Sequence, residues 1–114
     1  MATSERWKPS VTVAAVIEKD GRFLLVEEHT PYGLQLNNPA GHLEPNESPA
    51  QGCVREVLEE TGYTVEVVRL SGVYSDPAQT TVTYPGGDVV AYVALCFVCK
   101  VLGGAPALSS ESAG

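Results

Sequence analysis

The sequence predicts an α/β (α+β) domain in which a mixed sheet packs against a central helix. Three observations point there. β-Branched and aromatic runs of strand length occupy both ends of the chain, a single segment between them carries helical periodicity with a cap at each end, and turn residues punctuate the strands. At 114 residues, with 44% hydrophobic and 18% charged residues, residues 1–114 read as a single globular domain.

Residues 1–9, "MATSERWKP", are polar and read as an N-terminal arm. Residues 11–17, "VTVAAVI", form a strand, Lys19-Asp20-Gly21 supplies turn chemistry, and residues 22–28 resume the extended chain. "TPYGLQLNNPAG" is loop, with at most a short strand near Leu36, because Pro31, Gly33, Pro39 and Gly41 break regular structure. Ser48 can cap a helix over Pro49–Thr61, Pro49 suits its first turn, and Gly62 stands past its end. "YTVEVVRLSGVYSD" and "TTVTYPGGDVVAYVALCFVCKVL" are strands, with "PGGD" as a hairpin turn. Residues 11–17 and 89–98 are apolar almost throughout, as expected of strands buried on both faces. Residues 103–114 read as a loose C-terminal tail.

Charge and cysteine usage narrow the function classes. A net charge of −7 argues against a nucleic acid polymer as partner, since phosphate backbones are held by clustered Lys and Arg. The apolar run at 89–98 is too short to cross a membrane. The absence of a leader and the odd count of three cysteines favour a cytoplasmic location. "CFVC" has the spacing of a redox or zinc motif. Positions three apart on a strand face opposite ways, however, so Cys96 and Cys99 are expected as buried free thiols.

Residues 41–63 hold Glu44, Glu47, Glu56, Glu59 and Glu60 against one base, Arg55. At about 100° per residue, Ala50, Val54, Val57, Leu58 and Thr61 form a core-facing stripe. Glu56, Glu59 and Glu60 fall opposite, at i, i+3 and i+4, so their carboxylates are expected to converge. Gly52 lies a turn earlier on that face and leaves room beside them, at a cost of about 1 kcal/mol relative to alanine. Two readings stay open on spacing alone: a solvated helix face, or oxygen ligands for a hard divalent ion such as Mg²⁺.

Gly41, Glu47, Arg55-Glu56-Val57, Glu59-Glu60 and Gly62-Tyr63 match every fixed position of the Nudix box, and the chain resembles bacterial Nudix hydrolases. The likeness extends to "WKPSVTVAAVIEKDGRFLLVEE" and "NNPAGHLEPNES", which resemble nucleoside-phosphate and thiamine-pyrophosphate-type phosphatases, and to "SGVYSDP". It implies a sheet sandwiched by helices and a pyrophosphohydrolase that directs water at phosphorus in a small-molecule diphosphate. It also implies Mg²⁺, with Mn²⁺ as a substitute, held by Glu56, Glu59, Glu60 and the carbonyl of Ala40. Glu59 is the implied proton acceptor. Glu47 and Arg55 are implied to pair and to brace the loop against the helix.

His42, Leu43, Glu44 and Asn46 fall at variable box positions, and His42 reads as a loop residue. His29 is given no role. Trp7, Tyr32 and Tyr74 are aromatics able to stack on a base, each also accounted for by packing. Relatives continue with another strand and a second large helix, whereas this chain stops shortly after Glu111, where some relatives place an extra carboxylate. The domain is therefore expected to lack that final strand and helix. A homodimer is the expected cover for the sheet face left open. Two alternatives stand beside the enzyme: a Nudix-fold ligand-binding or regulatory module, and a truncated fragment.

Overall fold

The computed structural model describes residues 7–30 and 33–104. β1 (Ser10–Lys19) turns through Asp20 and Gly21, both at positive φ, into β2 (Arg22–Phe23). The extended run expected over 22–28 breaks at Leu24, which packs on the core and donates its N–H to the Ile17 carbonyl. The chain resumes as β3 (Val26–Thr30), which pairs with β4 (Gly33–Asn37) in a two-stranded sheet of its own. β4 is thus a full strand where the sequence suggested mostly loop.

β5 (Ala40–His42) pairs antiparallel with β1 and leads to α1 (Pro49–Thr61), whose bounds are those predicted. Ser48 Oγ accepts from the Gln51 N–H at 3.1 Å, and Gln51 Oε1 accepts from the Ser48 N–H at 2.8 Å. This reciprocal cap satisfies two of the helix's open donors. Gly62, at φ 82°, closes the helix by donating to Leu58 at 3.0 Å. β6 (Tyr63–Tyr74), α2 (Pro77–Thr80), β7 (Thr81–Thr83) and β8 (Val89–Gly104) complete the described chain. The predicted "PGGD" turn joins β7 to β8, tied by Tyr84 and Asp88.

The main sheet runs β2-β1-β8-β6, with β5 also on β1 and β7 on β8. β1 and β8 are parallel, and β6 and β8 antiparallel. α1 lies on one sheet face, over Val13, Ala15 and Ile17 of β1, Val65 of β6, and Phe97 and Cys99 of β8. Burying each of these Val or Ile side chains contributes about 1.5–3 kcal/mol. The stripe of α1 that enters this core is rotated from the expected one. Cys53, Val57 and Thr61 are buried, whereas Leu58 is 51% exposed.

The expectation that β1 and β8 are buried on both faces holds on the helix side and, on the other face, at Cys96. Away from α1, Thr12, Ala14, Val16, Ala94 and Val98 are only partly buried, because among the described residues no long helix packs there. All three cysteines are free and buried. Cys96 and Cys99 face opposite sides, and Cys99 Sγ lies 3.7 Å from Cys53 Sγ on α1. β8 runs through Gly104, so Gly103 and Gly104 belong to the sheet and not to the tail predicted from 103. The rest of that tail, with Glu111, and Tyr32 lie outside the described residues. No helix among the described residues is long and apolar enough to cross a membrane.

Candidate functional site

β5, the loop after it and α1 meet along the acidic helix face. Register partner Val13 turns Gly41 toward α1, and a Cβ at Gly41 would collide with the Glu56 carboxylate. Only glycine lets the β5 backbone approach that carboxylate so closely. One turn earlier, a Cβ at Gly52 would stand 2.7 Å from Glu47 Oε1. The room that Gly52 leaves is therefore taken by Glu47.

Arg55 is the hub. Its Nε and Nη2 donate to the two oxygens of Glu47, at 3.0 and 2.8 Å. A planar guanidinium matched to a carboxylate in this two-pronged way is stronger and more directional than a single contact. Nη2 also donates to the His42 carbonyl at 3.1 Å, which fixes β5 to the helix. Nη1 donates to Glu56 at 2.8 Å and to Glu59 at 2.7 Å, and lies 3.3 Å from Glu44. The Glu44 N–H donates to Glu47 at 2.9 Å.

These contacts set the protonation of the pair. The hydrogen bonds from Arg55, and next the Glu44 N–H, hold Glu47 below the usual glutamate range. Glu47, Glu56 and Glu59 in turn hold Arg55 charged.

The structure brings Glu47, Arg55, Glu56 and Glu59 into one hydrogen-bonded group. Glu56 is mostly shielded, Glu59 is half exposed, and Glu60, a turn beyond Glu56, is partly buried. Ala40 begins β5 opposite Ala14. Of the three acids predicted to converge, Glu56 and Glu59 meet at Arg55 Nη1. Among the described residues no three His, Cys, Asp or Glu side chains form a group able to hold a metal ion. Arg55, four residues before Glu59 and next to Glu56, draws both carboxylates to its own Nη1.

The donor chemistry nevertheless fits a hard divalent cation. The acids are all oxygen donors, and the bare Cα of Gly41 lets the Glu56 carboxylate lie directly against β5. His29 is on β3, in the separate hairpin, and Trp7 and Tyr74 are exposed. Arg55 was expected to hold the loop against the helix and to orient the carboxylates, and its contacts to the His42 carbonyl, Glu56 and Glu59 are of the kind that role requires. The signal was there, since Arg55 and Glu59 stand four apart on a helix, the spacing at which opposite charges meet.

Comparison with known proteins agrees with this geometry. The family model described as NUDIX domain matches residues 6–113. A MutT-like protein of Streptomyces ambofaciens is 41% identical over 90% of this chain and 59% of its own length. An ADP-ribose pyrophosphatase of Methanocaldococcus jannaschii is 37% identical over 84% of this chain and 53% of its own length. The chain thus spans little more than half the length of these curated relatives. Among solved structures, a NUDIX hydrolase from Nitrosomonas europaea superposes with a TM-score of 0.70 and 44% identity, over 92% of this chain and 68% of that one.

Proposed function

The chain belongs to the Nudix family, and from that premise we propose that it is a divalent-metal-dependent pyrophosphohydrolase acting on a nucleoside diphosphate linked to a second small group. The observation that carries this reading is the Glu56 carboxylate seated against the bare Cα of Gly41 and steered by Arg55. The relative named as an ADP-ribose pyrophosphatase supports a nucleotide-type substrate. Nucleoside di- and triphosphates and thiamine-type pyrophosphates belong to the same class.

Nudix hydrolases generally use divalent metal ions. In this reading Glu56, Glu59, Glu60 and the Ala40 carbonyl hold Mg²⁺, for which Mn²⁺ can substitute. When bound, such an ion neutralises diphosphate charge and acidifies water. The chain's own residues do the rest. Glu47 fixes Arg55 from two sides, and Arg55 fixes β5 through the His42 carbonyl, so the loop and helix present the acids at constant spacing. A cation held there would supply the positive charge that Arg55 Nη1 now offers Glu59. Glu59, half exposed and four residues from Arg55, is then the carboxylate placed to accept a proton from the attacking water.

The domain spans residues 1–114 and works in the cytoplasm, a location supported by its three free cysteines. Its substrate is a small molecule, neither a nucleic acid polymer nor a membrane surface. A homodimer is the reading for the apolar partners Val16 and Val98, which are only partly covered on the face away from α1. The second reading, a binding module without turnover, is favoured by the hydrogen bonds that tie Glu56 and Glu59 to Arg55.

One experiment decides between the two. The chain is stripped with chelator and assayed on a panel of nucleotide diphosphates while Mg²⁺ or Mn²⁺ is added back. Hydrolysis that follows the metal supports the enzyme. Undiminished hydrolysis in excess chelator sinks the metal role, and binding without hydrolysis at any metal concentration selects the module.

A further inference from the structure

The sheet face turned away from α1 carries a group of rings that the box chemistry leaves unused. Register partners share a face, so the alternation can be followed strand by strand. Val13, Ala15, Phe97 and Cys99 point into the core under α1, which puts Thr12, Ala94 and their partners on the other side. Thr12 pairs with His42 of β5 and with Ala94 of β8, and Ala94 pairs with Tyr74 of β6. Across four strands this face therefore reads His42, Thr12, Ala94, Tyr74. With strands about 4.8 Å apart, the two ring-bearing residues stand about 14 Å apart over a floor of two small side chains.

The neighbouring row adds two more rings. Tyr92, paired with Ser10, stands two residues before Ala94 and points the same way. Its ring lies 6.2 Å from that of His42 at a tilt of 37°. Its hydroxyl is hydrogen-bonded to that of Tyr84, which follows β7. Tyr74 is 53% exposed and Tyr84 39% exposed. His42 is exposed as well, and Tyr92, which touches both His42 and Tyr84, is partly buried.

We propose that His42, Tyr74, Tyr84 and Tyr92 form the surface that takes the planar heterocycle of the substrate, with Thr12 and Ala94 as its floor. Flat rings stack on aromatic side chains whatever their edge pattern, and the imidazole and hydroxyls supply hydrogen bonds to ring edges. Position ties this surface to the acidic face. His42 is the residue after Gly41, and its carbonyl is held by Arg55. Among the described residues β5 pairs with β1 alone. A ligand crossing β5 touches the acidic face with its diphosphate and the rings with its heterocycle. The inference rests on the pyrophosphohydrolase reading and names the part of the substrate that the box does not hold.

The test is a nuclear magnetic resonance titration of the full chain, in the presence of Mg²⁺, with ADP and in parallel with inorganic pyrophosphate. Ring signals of His42 and the three tyrosines that move with ADP and not with pyrophosphate support the surface. Backbone signals over Glu56–Glu60 that move while the rings stay still overturn it and leave the hydrolase reading intact. Ring shifts without Glu56–Glu60 shifts support the surface and count against that reading, and no shift at either place overturns both.

Kinetics on a hydrolysed nucleotide provide the second measurement. Tyr92→Ala is expected to raise KM about tenfold, within the range for losing one stacking ring, with kcat changed less than about threefold. Tyr92→Phe, which keeps the ring and loses the Tyr84 contact, is expected to raise KM less. Equal KM in all three proteins overturns the surface.

Discussion

Two neighbouring regions of this chain are held in opposite ways. The β3–β4 hairpin is tied within itself, by its own register and by Asn37 Nδ2 donating to Glu28 at 3.0 Å. Leu34 and Leu36 stand more than half exposed, and Val26 is its buried anchor. The stretch from Gly41 to Gly62 is tied to distant chain instead. β5 is hydrogen-bonded to β1, α1 is packed on strands from both ends of the sequence, and Arg55 stitches loop to helix. The contrast teaches where geometry is demanded: local order suffices for the hairpin, while the acidic face is defined by residues that must meet from β5, the loop after it and α1.

The contrast breaks hardest at the carboxylates. Glu56→Gln or Glu60→Gln keeps helix and volume, so kcat should fall about 10²–10⁴-fold with little change in melting temperature. Activity retained in both variants would reduce the acidic face to a solvated surface. Gly41→Ala comes next. Its methyl group collides with the Glu56 carboxylate, and displacing that group should cost about 10²-fold in kcat. A variant with full activity would show that β5 and α1 can part without consequence.

Arg55→Ala sharpens the comparison, because it should lower stability and rate together. With the guanidinium about a quarter exposed, the expected loss is about 1–3 kcal/mol, alongside reduced kcat. The pH dependence follows in sign. Glu47 titrates lower in the folded chain than in the unfolded one, so its contribution is present above the unfolded value and is lost as pH falls through the folded one. Acid melts of the unmodified chain should therefore fall more steeply than those of Arg55→Ala. If Arg55→Ala weakens substrate binding alone and leaves the melt untouched, the residue contacts phosphate and is no brace. The smallest effect belongs to the hairpin: Leu36→Ser, at an exposed site, should shift stability by no more than about 0.5 kcal/mol.

Much of the fold was legible where a local signal suffices. Ser48 and Gly62 bounded α1 to the residue, and Lys19-Asp20-Gly21 and the "PGGD" turn marked real reversals. The Gly41 to Tyr63 pattern brought the right residues together. What escaped were outcomes of packing. β4 exists because β3 offers it a partner, although Gly33 and Asn38 read as loop. Leu58 turned outward because Cys53, small enough to meet Cys99, took the centre of the buried stripe. The stripe's arc could be read from periodicity, but its direction depended on the sheet beneath it. Arg55 drew Glu56 and Glu59 to itself because reach and charge, not angle around the helix, decide where flexible side chains end. The ring of His42 lies far in sequence from that of Tyr92 and meets it only because β5 and β8 both pair with β1.

The parallel pairing of β1 with β8 also bears on the order in which the domain can assemble. Val11 lies against Val93 and Ile17 against Cys99, so the first strand made finds its main partner only when the last is available. Contacts this distant in sequence slow folding, since the loop between them must close before either strand is rewarded. During synthesis α1 carries its own caps and can turn helical early. The floor on which Cys53 and Val57 rest is half missing until β8 arrives. The acidic face is therefore encoded ahead of β8 and completed by it, and a nascent chain that stops before β8 holds every box residue without the seat that aligns them.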